Sequence, residues 1–196
     1  HWKGYHLAVR AFAEVLREFP SAEYWIIGDG PERSSLQALA LNTTGAQQIK
    51  FLGRLATLQD VYRAVEQCDV LVHPALHEAF GVACLEALAI GRPVVCLSGG
   101  GPAMQVTGQT GVVVEPGTVQ STIDGLAGAM LKLCKDSELR RKMGINARQR
   151  VREHFTWEKL ADSMEQVYAL ALEGRPGTDA FDGGRERTVF SGSSVL

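Results

Sequence analysis

"DVLVHPALHEAFGVACLEALAIGRPVVCL", residues 69–97, decides the fold. It opens on a continuous apolar run, "DVLVHP" (69–74), that ends at a proline. A helical stretch follows over about 80–91 and closes at Gly91. "PVVCL" (93–97) is a second apolar run. Neither run alternates apolar with polar residues. Continuous short runs separated by a helix are the mark of parallel strands covered on both faces.

The pattern repeats outward. "YHLAVRAFAEVLREF" (5–19) sets Leu7, Ala8, Ala11, Phe12, Val15, Leu16 and Phe19 at helical spacing. "AEYWIIG" (22–28) predicts a strand, and Pro31 suits the first turn of a helix over 31–41. "IKFLG" (49–53) predicts a strand, "LQDVYRAVEQC" (58–68) a helix and "GVVVEPG" (111–117) a last strand. "GGGPAMQVT" (99–107) predicts a glycine-rich loop with one helical turn. From Thr118 to Glu173 the chain reads as helix, with breaks near Asp136 and Thr156. Residues 174–196, rich in Gly, Ser and Arg and without period, predict a flexible tail. Strands and helices alternate about every 20–25 residues, which predicts an α/β, Rossmann-like parallel sheet flanked by helices.

Bulk properties narrow the class. The 196 residues are 45% hydrophobic and 21% charged, with a formal charge of -2. No basic block is present, so nucleic acid is not an expected partner. No apolar run reaches membrane-spanning length. Cys68, Cys84, Cys96 and Cys134 sit singly within apolar runs, as buried reduced thiols of a cytoplasmic protein do. The chain opens on "HWKGYH" rather than Met, so a fragment of a longer protein is expected.

Ligands in such sheets bind beyond the carboxyl ends of the strands. "GDGP", "HEAFG" and "LSGGGP" fall there. In "EAFGVACLE", Phe80, Gly81, Val82 and Ala83 would form a first helical turn whose N–H groups lack partners within the helix. Those donors and the helix dipole favour a phosphate, and Gly81 lets it come close. Glu78 precedes that turn and Glu86 lies along the helix. Eight residues of helix span ~12 Å, about the reach of a diphosphate with a sugar at each end. The plain alternative is a capping carboxylate and a solvated polar residue. Lys3 could neutralise a departing phosphate, or could be a solvated terminal residue.

Several pieces occur together in one order: "KG" before a helix, "GDGP" after a strand, "FLGRL", "EAFGVACLEALAIGRPVV", "GGGPA" and "TGVVVEPG". In this the chain resembles the C-terminal, donor-binding domain of retaining glycosyltransferases of the GT-B fold, the large family 4 group. That group carries two glutamates separated by seven residues, here Glu78 and Glu86. The resemblance covers residues 1–173. It implies that Lys3 binds the donor diphosphate and that Gly28 and Gly30 form a loop near the nucleotide. Phe51 to Leu55, with Gly53, Arg54 and Leu55, would lie beside the base. Glu78 would contact the donor sugar and serve catalysis with Lys3. Phe80, Gly81 and Val82 would offer backbone N–H groups, and Glu86 would hold the ribose.

The resemblance also implies a nucleotide-diphosphate sugar as substrate, no metal and no cofactor, and transfer with retention by front-face attack. The acceptor, a sugar, lipid or other group, would be held by an N-terminal domain outside this sequence. The expected location is the cytoplasm, with peripheral membrane attachment left open for the full-length protein. The family's arginine shortly before the lysine lies outside the chain, and Met104 stands where the family often has an acid. In the strand order 3-2-1-4-5-6 the first strand is central. Its absence predicts an incomplete sheet between the strands at 22–28 and 69–74.

Other chemistries fit less well. A dehydrogenase glycine loop would need Gly at Arg33. A metal hydrolase could use His73, His77 and Glu78, but Pro74 and a strand separate the histidines from one helix face. Ser98 precedes a glycine run without a nucleophile elbow. A non-catalytic nucleotide-binding domain and a sugar-nucleotide epimerase of the same fold remain as alternatives.

Overall fold

The structure is a computed structural model that describes residues 2–173. The tail expected over 174–196 lies outside the described residues. The described residues divide into two units, which separate after Phe155.

The first unit alternates as expected: α1 Tyr5–Glu18, β1 Tyr24–Ile27, α2 Arg33–Leu41, β2 Ile49–Gly53, α3 Leu58–Gln67, β3 Leu71–His73, α4 Val82–Ile90, β4 Val94–Leu97, α5 Gly101–Gln105, β5 Gly111–Val114, α6 Val119–Lys135 and α7 Ser137–His154. Four of the strands are shorter than expected, β4 by one residue and three others by three each. The run at 69–74 keeps only three paired residues, because its first two residues lie before the register shared with β4. Residues 115–117 leave the sheet for the cap of α6, and Ala22 and Glu23 precede the first pair of β1 with β2. Pro31 lies in a turn ahead of α2, which starts at Arg33 instead of at the proline.

All strand pairs are parallel, but they form two sheets, β1-β2 and β3-β4-β5. The break falls between β1 and β3, where the sequence predicts a missing central strand. A slot of about 420 Å³ lies there. Ala22, Tyr24 and Ile27 line it on one side, and Val70, Leu71 and Val72 on the other, with Phe12 and Val15 of α1 and Met130 of α6 also in its wall.

The helices cover the sheets by the faces their periodicity dictates. Of the apolar positions expected on α1, six are buried and Phe19 is partly buried. β4 divides its side chains between two cores. Val95 and Leu97 join α1, α6 and β5, while Val94 and Cys96 join Cys84, Ala87 and Leu88 of α4 and Ala147 of α7. Asp136 caps α7 by accepting from the Leu139 amide at 2.8 Å, which explains the break read there. Cys84 and Cys96 are buried thiols, and burial pushes Cys96 up to about 12.

The second unit, as far as it is described, is α8, Trp157–Leu172, capped by the Thr156 hydroxyl at the expected break. Among the described residues no helix is long and apolar enough to cross a membrane.

Candidate active site

The segment 74–81 leaves β3 and enters α4. It is held from two sides. The N-terminal segment packs on it through Gly4, where an added Cβ would meet the Pro74 carbonyl. The Leu76 amide donates to the Trp2 carbonyl at 2.9 Å, and the Trp2 and His77 rings meet edge-on at 5.4 Å. The glycine loop after β4 clamps the other side. Gly101 N–H donates to the Glu78 carbonyl at 3.0 Å, and Gln105 Nε2 to the Phe80 carbonyl at 2.6 Å. Gly100 must be glycine: its φ is 73° and a Cβ would sit 1.9 Å from the Glu78 carbonyl oxygen.

This arrangement brings Lys3 to Glu78, 75 residues away, and the ammonium donates to carboxylate Oε2. Lys3 remains 61% exposed while Glu78 is 18% exposed. The hydrogen bond from Lys3 is the main cause that holds the Glu78 carboxyl below the usual range; the Phe80 amide adds to it. His73, at the end of β3, has Nε2 3.7 Å from the same Oε2.

Helix α4 starts at Val82, two residues later than the sequence suggests. Gly81 is its N-cap, in the left-handed region at φ 81°. Phe80 therefore lies ahead of the helix, with its N–H turned to Glu78. No side chain caps this end of α4. Val82 and Ala83, in its first turn, are exposed and leave that end open to an anion.

Glu86 lies one turn further on and lines the slot with Ala83 and His73. It accepts from the Tyr62 hydroxyl at 3.1 Å. Tyr62 is on α3, whose start is fixed by a reciprocal cap between Thr57 and Asp60, worth ~1 kcal/mol. Desolvation and the Glu86 carboxylate raise the Tyr62 phenol.

The glycines expected near the nucleotide form a second group. Gly28 N–H donates to the Gly53 carbonyl at 2.7 Å, which ties the loops after β1 and β2 together. Asp29 accepts from the Gly30 amide at 2.8 Å and pairs with Arg33 at 3.4 Å. Arg33 in turn lies over Gly53. Arg54 is exposed and Leu55 partly buried beside it.

Three contributors escaped the sequence: Tyr62, Arg33 and Gln105. Each is a single polar residue in a helix, with nothing in its spacing to reveal its tertiary partner. The other chemistries lose ground. His77 is engaged by Trp2 while His73 faces Glu78, and the Ser98 hydroxyl donates to Glu115 at 2.6 Å. Among the described residues no three His, Cys, Asp or Glu side chains are grouped to hold a metal.

Residues 1–150 match the family model of glycosyl transferases group 1. The chain belongs to this family. This group 1 domain is 33% identical, over 172 residues, to a GDP-mannose-dependent monoacylated alpha-(1-6)-phosphatidylinositol monomannoside mannosyltransferase of Corynebacterium glutamicum; the match covers 84% of the chain and 43% of that protein. The chain thus spans less than half the length of this curated relative. Its fold is that of Anabaena HepE, solved in complex with UDP, with a TM-score of 0.71, 25% identity, and coverage of 88% of the chain and 46% of the other. The C-terminal domain of a group 1 glycosyl transferase from Francisella tularensis matches with a TM-score of 0.70 and 25% identity, over 80% of the chain and 81% of that domain. The group 1 domain therefore has the α/β architecture of GT-B glycosyltransferase domains.

Proposed function

We propose that residues 1–173 are the donor-binding domain of a retaining, metal-independent glycosyltransferase of the family 4 type. The donor is a nucleotide-diphosphate sugar. Lys3 and the amides at the start of α4 hold the diphosphate, and Glu78 accepts hydrogen bonds from the donor sugar. Glu86, steadied by Tyr62, accepts from the ribose hydroxyls. The loops at Gly28, Gly30 and 53–55 flank the nucleotide and base.

The observation that carries this reading is the meeting of Lys3, Glu78 and an uncapped helix start, with Glu86 lining the same cavity. A cation and a helix N-terminus are what a departing diphosphate needs, since both offset the charge that grows as its bond to the anomeric carbon breaks. In front-face attack the acceptor hydroxyl approaches on the side the diphosphate leaves. Its proton passes to the leaving phosphate oxygen, and configuration is kept. The UDP bound by Anabaena HepE supports a nucleotide at this fold's site. The acceptor, a sugar, lipid or other group, is bound by chain beyond this domain, and the reaction is cytoplasmic.

Calorimetry of the chain with UDP and GDP tests the proposal. Glu86→Ala should weaken binding of the bare nucleotide by ~1.5–3 kcal/mol for a lost charged hydrogen bond. Glu78→Ala should leave the bare nucleotide nearly unaffected and reduce transfer in the whole protein. Equal and negligible effects of both would refute the assignment. The fact that the chain spans 43% of its curated mannosyltransferase relative favours a second, narrower reading: alone it binds donor without transferring.

A further inference from the structure

The Glu78 carboxylate has two side chains waiting on one oxygen. Lys3 donates to Oε2, and His73 Nε2 stands 3.7 Å from the same atom. That distance is too long for a hydrogen bond. His73 Nε2 is nonetheless buried and has no hydrogen-bond partner. An orphaned nitrogen in such a place is costly, and the carboxylate oxygen 3.7 Å away already accepts from the lysine. The side chains differ in freedom: His73 is 13% exposed and Lys3 61%. Lys3 can swing away; His73 cannot.

We propose that His73 is a positioning residue that takes over Oε2 of Glu78 when Lys3 turns to the diphosphate of the donor. The handover by a ligand rests on the proposed donor binding; the competition between Lys3 and His73 for the carboxylate does not. Its physical basis is charge. Burial lowers the His73 imidazole, Lys3 lowers it further, and Glu78 opposes both. With Lys3 in place the ring stays neutral. Once an anion draws the ammonium off, one of the two influences that lower the ring is gone and only burial still opposes the carboxylate. His73, with its proton on Nε2, then donates to Oε2 and holds a second proton more tightly than before, although burial keeps the ring below its ordinary value.

The other groups on this cavity act in the same direction or not at all. Glu23, Asp69 and Glu86 add negative charge, while the Tyr5 and Tyr62 phenols and the Cys68 and Cys134 thiols are raised further from neutrality. The consequence is that Glu78 stays ionised and fixed while its lysine is engaged elsewhere.

Two measurements decide this. Without ligand, nuclear magnetic resonance follows the His73 ring through pH in the unaltered chain, in Lys3→Met and in Lys3→Met/Glu78→Gln. The midpoint should move up in Lys3→Met and fall back in the double variant. An unmoved midpoint in Lys3→Met overturns the inference. With UDP or GDP, calorimetry in two buffers of different ionisation enthalpy should show proton uptake on binding that appears as the pH falls below about 6.5, where the ring titrates. The uptake should vanish in His73→Gln, whose amide can still donate to Glu78 but cannot take up a proton. Uptake that persists in His73→Gln overturns the handover. If neither nucleotide binds, the donor reading fails, and the ligand-free titration alone decides whether His73 and Lys3 compete for Glu78.

Discussion

β1 and β4 read alike as sequence, "YWII" and "VVCL", yet they end in different surroundings. β4 is paired on both edges and all four of its residues are buried. β1 is paired only with β2, and its residues alternate between buried and partly buried. The slot beside β1 is the cause. The parts of the site are divided accordingly. The acids and the loop that clamps them hang from the three-stranded half, while the glycines at 28, 30 and 53 hang from the two-stranded half. The clamped carboxylate Glu78 hangs from the half whose central strand, β4, is paired on both edges.

The largest test of that contrast is in the strands. Leu97→Ala, at a fully buried position, should cost about 2–5 kcal/mol in urea unfolding. Ile27→Ala, on the slot wall, should cost less than half as much. Equal costs would mean that the two half-sheets are equally well supported.

The loops give the next effect. Gly100→Ala forces a side chain into a backbone conformation open almost only to glycine, at about 1–3 kcal/mol, and drives its Cβ into the Glu78 carbonyl. It should displace Glu78 and the start of α4. Gly30→Ala meets nothing within 4 Å and should change stability by no more than about 0.5 kcal/mol. A similar loss of stability in both variants would remove the distinction between a clamped loop and an open one.

The smallest effect is in pH. His73 is lowered by burial, so the unfolded chain takes up its proton first, and stability falls as pH drops below about 6.5. Glu78 is lowered by Lys3, so its contribution is present above the ordinary carboxylate range and is lost as pH falls through its lower folded value. Acidification from neutrality should therefore weaken the fold in two stages. His73→Gln should reduce the first to what His6, also lowered by burial, contributes, and leave the second, as thermal unfolding across that range would show.

Much of this was legible in advance. The covered face of α1, the breaks at Asp136 and Thr156 and the gap between the two half-sheets follow from periodicity, capping residues and strand order. α4 starts two residues later than its sequence suggests, because a left-handed cap at Gly81 and a turn of the Phe80 amide towards Glu78 are not written in residue type. Tyr62 looked like any helix residue until α3 brought its hydroxyl to Glu86.

By itself, then, the sequence determined which segments are strands and helices and which carboxylates stand at strand ends, because backbone preference and apolar period act over a few residues. Only the tertiary structure decided which cation meets Glu78, which hydroxyl steadies Glu86 and which imidazole is left without a partner. Those are contacts between residues far apart in the chain, made by packing that no local period encodes.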